Sequence, residues 1–114
     1  MDIRYTGMDG MLVAAISGRL DNDSVPEFKA ARESWPVVPT VLDLTGLTYV
    51  SSPALRELLA LKRDFSRQGM PVVIAGSTGF VGRILAISGF EQVFVTYPTV
   101  ADAAKAIACG GAGS

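Results

Sequence analysis

The sequence predicts an α/β fold with one mixed, mostly parallel sheet of five strands and about four helices. Two observations carry this prediction. The 114 residues suffice for one ordinary domain, and strand-length segments alternate with amphipathic helix-length segments in the order ββαβαβαβα. Strands that alternate with helices are joined by right-handed crossovers, which produce parallel pairing. We expect the domain to occupy residues 1–108 and a flexible tail to occupy residues 109–114.

A hairpin is expected at the N-terminus. Polar and apolar residues alternate over Asp2–Thr6, which is typical of a half-exposed strand. Met11–Ile16 is almost continuously apolar, as in a strand covered on both faces. The glycine-bounded turn Gly7–Gly10 joins the two segments.

The middle of the chain predicts helix, strand, loop and helix. Ser24 has a glutamate three residues later, which is the capping-box spacing of a helix start, and Pro36 ends that helix. Val41–Leu44 is short and mostly apolar, as expected of a central strand. We predict a loop over Thr45–Ser51 and an amphipathic helix over Pro53–Arg67.

The C-terminal part repeats the alternation of strand and helix. Pro71–Ala75 predicts a buried strand, and a short helix follows from Gly79 until Gly89 stops it. Val93–Val95 predicts an edge strand. The final helix is expected to begin after Thr99, which has an aspartate at capping-box spacing.

Composition excludes several classes of function. Lys and Arg total 10 against 11 for Asp and Glu, so the net charge is −1, and no basic field is available to hold nucleic acid. Histidine is absent, which removes the commonest general base and metal ligand. Cys109 is the single cysteine and has no partner for an internal disulfide. We expect no enzyme activity, no metal and no cofactor.

The chain is also expected to remain in the cytoplasm without membrane insertion. Charged residues at Asp2, Arg4 and Asp9 occupy the place where a signal peptide would need an apolar core. The two longest uncharged stretches contain Ser, Thr, Gly and Pro and do not form a continuous apolar span.

Polar residues are predicted to converge at one edge of the sheet. Functional crevices of open α/β sheets lie at the carboxyl ends of the strands. Asp21 follows the second strand, Asp43 ends the third, and Ser51–Pro53 begins the long helix. A carboxylate such as Asp43 is as readily satisfied by loop N–H groups as used in chemistry.

Ser52 has two interpretations. Proline is favoured at the first helical position, so Pro53 makes Ser52 the predicted N-cap, whose hydroxyl accepts from a backbone N–H one turn later. The same hydroxyl is also a candidate phosphoryl acceptor. A phosphate there would add about −1.5 to −2 charge beside the positive end of the helix dipole.

Three segments together resemble STAS domains, the sulfate transporter and anti-sigma factor antagonist family. Val41–Leu59 looks like the family signature, Ile16–Asp21 is similar to its Gly-x-Leu-Asp loop, and Ile84–Phe90 is similar to its Leu-x-x-Ser-Gly-Leu helix end. The resemblance covers almost the whole chain in the right order. It implies a STAS-like single domain.

The resemblance implies an anti-sigma factor antagonist that acts by partner switching. The implied partner is an anti-sigma factor with Ser/Thr kinase activity in a sigma-factor pathway, and phosphorylation of a serine that matches Ser52 ends its binding. The acid of the family loop matches Asp21. From this resemblance and the convergence of polar residues, we predict a partner-binding surface formed by Asp21, Ser51, Ser52, Pro53, Ala54 and Arg56.

Two departures from the family pattern leave other functions open. Ser51 stands where the family has Asp, and Ala54 stands where it has Gly. A STAS module that is not phosphorylated, in a lipid-transport ABC complex or a signalling assembly, is therefore an alternative. A third hypothesis is a small enzyme that uses the carboxylates of Asp21 and Asp43.

Overall fold

A computed structural model describes residues 1–77, 79–89 and 93–109. The described elements follow the order ββαββαβαβα. They are β1 (Asp2–Met8), β2 (Met11–Leu20), α1 (Val25–Glu33), β3 (Thr40–Asp43), β4 (Leu47–Val50), α2 (Ser52–Ser66), β5 (Val72–Ala75), α3 (Gly79–Ile87), β6 (Thr96–Tyr97) and α4 (Val100–Ala108). Apart from Cys109, the predicted tail lies outside the described residues.

The strands form one mixed, mostly parallel sheet, which confirms the predicted α/β class. Its order is β1-β2-β3-β5-β6, and β4 pairs with β2 beside this path. β1 and β2 form the expected antiparallel hairpin, with Ile3 opposite Ile16. All other pairings are parallel, because a helix or a crossover separates the strands concerned.

The sheet contains a sixth strand where a loop was expected. β4 lies within the segment 45–51, and it pairs with the end of β2 from Gly18 to Leu20. β2 has 10 residues and extends beyond its pairing with β3, which stops at Ala15. The end of β2 that extends beyond β3 therefore pairs with β4. The alternation of buried Leu47 and exposed Thr48 is typical of a strand in that position.

The last strand begins later than predicted. Val93 is exposed and lies in a turn, and β6 occupies Thr96–Tyr97. The ladder starts where the Ile74 N–H donates to the Val95 carbonyl at 3.0 Å, and the Gly76 N–H donates to the Tyr97 carbonyl at 3.0 Å. The predicted start of the final helix is confirmed, because the Thr99 hydroxyl accepts from the Asp102 N–H at 3.1 Å.

Two apolar clusters fill the two faces of the sheet. α1, α2 and α3 cover one face, where Phe28, Leu58 and Leu61 are fully buried. α4 covers the other face, where Val41 and Val73 pack with small residues of the helix. Burial of each large apolar side chain contributes about 1.5–3 kcal/mol. The two layers hold the carboxyl edge of the sheet in place.

An ion-pair network joins α1 to α2. The Arg32 guanidinium contacts the carboxylate of Glu57 and lies 3.3 Å from that of Asp64. The Arg32 and Glu57 side chains are only 12% and 13% exposed, so solvent screens this pair weakly.

In the part of the chain that is described, no helix has the length and apolar character needed to cross a membrane.

Candidate functional site

The carboxyl ends of β2 and β4 lie side by side. Leu20 is paired with Val50, and the Ser51 N–H donates to the Leu20 carbonyl at 2.9 Å. Asp21 follows Leu20 directly, and Ser52 begins α2 just after Ser51. The parallel pairing thus brings the Asp21 loop to the first turn of α2, as the sequence predicted for these two segments.

Ser51 is the N-cap of α2. Its backbone is extended, with φ −90° and ψ 167°, and its hydroxyl accepts from the Ala54 N–H at 3.3 Å. The predicted N-cap, Ser52, is therefore wrong by one residue, and Pro53 takes the second helical position. Proline is tolerated there because the N–H groups of the whole first turn lack acceptors within the helix.

Two adjacent serines thereby acquire different roles. Ser51 is only 7% exposed and belongs to the helix cap. Ser52 is exposed in the first turn. The first turn of α2, all of which is described, contains no acidic residue. A negative charge added at Ser52 would be stabilised by the helix dipole without an opposing carboxylate in that turn.

Asp21 is held by the loop that leads into α1. Its Oδ1 accepts from the Ser24 N–H at 3.1 Å and from the Ser24 hydroxyl at 2.9 Å. The Ser24 hydroxyl hydrogen bond, the Ser24 and Asp23 backbone N–H groups and the nearby Arg19 lower the pKa of Asp21, against a smaller opposing effect of burial.

The predicted capping box at Ser24 is wrong. Its single hydroxyl proton is shared between Asp21 Oδ1 and the Arg19 carbonyl oxygen, each 2.9 Å from Oγ, and the hydroxyl makes no cap bond to α1. The nearby carboxylate is the stronger acceptor, because a hydrogen bond to an ionised group is stronger than one to a neutral group. Ser24 consequently fixes the position of Asp21.

Arg19 and Tyr49 are neighbours of the site that the sequence reasoning missed. The Arg19 guanidinium carbon lies 4.4 Å from the centroid of the Tyr49 ring, and its Nε lies 3.6 Å from Asp21 Oδ2. Arg19 remains 63% exposed. The sequence predicted a loop where β4 lies. Without β4 nothing indicated that Arg19 and Tyr49 are opposite each other, as the register of β2 and β4 places them.

The remaining predicted site residues differ in exposure. Arg56 is exposed one turn after Ser52, Pro53 is half-buried, and Ala54 is fully buried. Positions i and i+4 of a helix lie on the same side, so Ser52 and Arg56 share a surface. We use the name α2 entry surface for Arg19, Asp21, Tyr49, Ser52 and Arg56.

Comparison with known proteins decides the family. Residues 2–103 match the STAS domain family. This chain belongs to that family. It is 36% identical over 85 residues, which cover 73% of this chain and 84% of the relative, to a STAS-domain containing protein from Pseudomonas aeruginosa. It is 28% identical over 97 residues, covering 82% and 84%, to BtrV from Bordetella bronchiseptica, a candidate anti-sigma factor antagonist.

Solved structures agree with this STAS fold. An anti-sigma factor antagonist from Mycobacterium paratuberculosis superposes with a TM-score of 0.82 and 23% identity, over 92% of each chain. The Bacillus cell fate determinant SpoIIAA in its phosphorylated form gives a TM-score of 0.70 with 12% identity, over 93% of this chain and 99% of that chain. These similarities show the fold, and they confirm the predicted STAS architecture.

Asp43 plays a structural role in this STAS domain. Its Oδ1 accepts from the Thr45 N–H at 3.0 Å and from the Thr45 hydroxyl at 2.6 Å. Asp43 is opposite Ala15 on β2, six residues before Asp21, which corresponds to roughly 20 Å along a strand. The two carboxylates hypothesised to form an enzyme site are therefore too far apart to act on one bond.

One surface pocket of the STAS domain, lined by described residues, lies away from the α2 entry surface. It has a volume of about 200 Å³ and is lined by Tyr5, Leu12, Ser34, Trp35 and Pro36. Leu12 is at the start of β2, whereas Asp21 follows its end. No group of three or more potential metal-ligating side chains occurs among the residues that the structure describes.

Proposed function

We propose that this STAS domain is an anti-sigma factor antagonist. It binds an anti-sigma factor through the α2 entry surface, and the Ser/Thr kinase activity of that partner phosphorylates Ser52 to end the binding. The exposure of Ser52 beside the buried cap Ser51 is the observation that carries the proposal. The antagonist relatives and the phosphorylated SpoIIAA structure support it.

The different positions of Ser51 and Ser52 are compatible with a phosphorylation switch. Ser51 holds the first turn of α2 through its bond to Ala54, so a phosphate on Ser52 leaves the cap intact. The new charge then changes the surface that a partner meets. Arg56 on the same helical side and Arg19 beyond Asp21 supply cations around that position.

The α2 entry surface of the unphosphorylated chain also holds its side chains in positions that a partner could recognise. Asp21 is ionised at neutral pH, as an ordinary aspartate is, and its hydrogen bonds lower its pKa further. Arg19 is held between the Tyr49 ring and the Asp21 carboxylate. A partner would therefore meet one acid, one cation and one exposed hydroxyl in fixed positions, which favours specific recognition over non-specific adhesion.

The test is incubation of this chain with ATP and the Ser/Thr kinase anti-sigma factor that is its proposed partner. We expect ATP-dependent addition of one phosphate to the wild-type chain and its loss in Ser52→Ala. Ser66→Ala is the matched control, because Ser66 is exposed at the opposite end of the same helix. Equal labelling of Ser52→Ala and wild type would contradict the proposal.

The same experiment addresses the alternative of a STAS module that is not phosphorylated. Ser51 replaces the family aspartate beside the hydroxyl, and this substitution favours the alternative. Stable binding of the kinase without phosphate transfer would identify a switch-free antagonist. Stable binding of an ABC-transport ATPase in place of an anti-sigma factor would identify a transport module.

A further inference from the structure

β1 is an edge strand with its outer side available for pairing. In the described sheet it pairs with β2 on one side only. It has seven residues, so its outward N–H and C=O groups form a template for another strand. Natural edge strands are usually protected by charges, and β1 contains Asp2 and Arg4 on one face.

The N-terminal residues of β1 are complementary to themselves. Met1 and Ile3 pack against the cluster beneath α1 and α2, and Tyr5 contacts Trp35 of the same cluster. Asp2 and Arg4 lie on the opposite face, where Arg4 Nε is 3.6 Å from Asp2 Oδ2. One face of the edge is therefore apolar, and the other has one charge of each sign.

Antiparallel pairing of two such edges about Ile3 matches every position from Met1, just before β1, to Tyr5. Ile3 then faces its counterpart, Met1 faces Tyr5, and Asp2 faces Arg4 on both sides of the symmetry axis. Cross-strand pairs of opposite charge and of apolar residues stabilise a sheet. An axis at Arg4 would instead oppose two guanidinium groups, and an axis at Tyr5 would place Ile3 opposite Gly7.

We infer that β1 is a homodimerisation edge, and that its occupant is β1 of a second copy, paired antiparallel about Ile3. The pairing joins two six-stranded sheets into one continuous sheet. Both Asp2 side chains are 67% exposed and both Arg4 side chains 87% exposed before pairing. The short ladder predicts a reversible dimer, smaller than an obligate interface.

This inference does not depend on the proposed function. The α2 entry surface contributes no residue to the paired segment, so failure of one leaves the other intact. Because the charges are exposed, the dimer should weaken as salt rises. Tyr5 is 50% exposed and Ile3 is partly exposed, so pairing also covers apolar surface.

Sedimentation equilibrium of charge variants tests the register. Asp2→Arg or Arg4→Asp places like charges opposite each other at both symmetric pairs, so each should weaken self-association about tenfold or more. An equimolar mixture of the two variants restores both pairs and should associate as wild type does. Lys29→Glu, on the exposed side of α1, is the control and should leave association unchanged.

Cross-linking tests the position of the axis. In a Cys109→Ser background, Ile3→Cys should form an intermolecular disulfide, because opposite residues have Cβ atoms about 4.5–5.5 Å apart. Thr6→Cys should not, since its two copies would lie roughly 20 Å apart along the ladder. A monomeric wild type at millimolar concentration, variants that associate like wild type, or stronger cross-linking through Thr6 would each overturn the inference.

Discussion

The Ser51 N–H donates to the Leu20 carbonyl at 2.9 Å, and this bond links the end of β2 to the start of α2. It is the contact that sets Asp21 beside the first turn of α2. The same residue caps the helix through its hydroxyl. Ser51 therefore holds the α2 entry surface together, while its neighbour Ser52 stays exposed.

The two serines should differ in their effect on stability. We expect Ser51→Ala to lower the free energy of unfolding by about 1 kcal/mol, because it removes the cap. Ser52→Ala should change it by less than about 0.5 kcal/mol, since Ser52 is an exposed surface residue. Urea unfolding of both variants measures this, and a larger loss in Ser52→Ala would return the capping role to Ser52.

Stability should depend on pH through Asp21. Its pKa is lowered in the folded chain by the Ser24 hydroxyl and by neighbouring N–H groups, so its contribution is complete above the ordinary value of 3.8. That contribution disappears as pH falls from 3.8 through the lowered pKa. Asp21→Asn should therefore be less stable than wild type at pH 7, and the difference should shrink below pH 3.8.

Urea unfolding midpoints, measured at a series of pH values from 7 to below 3.8, provide that measurement. Ser24→Ala is the companion variant, because it removes the largest cause of the lowered pKa. Its stability should depend less on pH than that of wild type in the same acid range. Parallel pH profiles for wild type and Asp21→Asn would show that the carboxylate is not stabilised by the loop.

Gly76 should resist substitution more than another glycine of similar backbone conformation. A Cβ at Gly76 would lie 2.1 Å from Thr45 Oγ1, and φ is +71°. Gly76→Ala should therefore cost about 2–4 kcal/mol, from overpacking and left-handed strain together.

Gly69→Ala is the matched control for strain alone. Its φ is +75°, but a Cβ added there would meet no atom within 4 Å beyond its chain neighbours, so we expect a cost of about 1–2 kcal/mol. Adding Thr45→Ala to Gly76→Ala should recover part of the loss, as thermal unfolding would show. Equal costs at the two glycines would contradict the close approach of Thr45.

The pair of Arg32 and Glu57 should matter mainly when one partner is removed. Both side chains are nearly buried, so Glu57→Leu leaves a poorly hydrated guanidinium whose remaining partner is the more exposed Asp64. The loss should be about 2–3 kcal/mol, less than for a charge left with no partner. The double variant Arg32→Met with Glu57→Leu should be close to wild type in urea unfolding, because neither charge is then stranded. Additive losses would show that Arg32 and Glu57 are not energetically coupled and would contradict this prediction.

The alternation of apolar segments was sufficient to predict the α/β class and all four helices. The predictions failed where tertiary contacts decide local structure. β4 depends on the length of β2, and the cation–π contact of Arg19 with Tyr49 depends on β4. The short alternation over Leu47–Val50 is compatible with a strand, but it does not specify β2 as the partner.

The N-cap of α2 is a second feature that the local sequence leaves undecided. Ser-Ser-Pro permits a cap at either serine, because proline is acceptable at the first or second helical position. The Ser51 N–H bond to Leu20 fixes the choice by anchoring Ser51 to the end of β2. The sequence therefore predicted the edge at which the Asp21 loop meets the start of α2, whereas the pairing in the sheet determines which serine caps the helix.

The most direct test of the account is a calorimetric titration of the anti-sigma factor with this chain before and after phosphorylation. The unphosphorylated chain and Ser52→Ala should bind with similar Kd values, because the substitution adds no charge to the α2 entry surface. Phosphorylation confined to Ser52 should weaken binding about tenfold or more, because it places added charge in the interface. Equal affinity of the phosphorylated and unphosphorylated chains would contradict the claim that Ser52 is the switch.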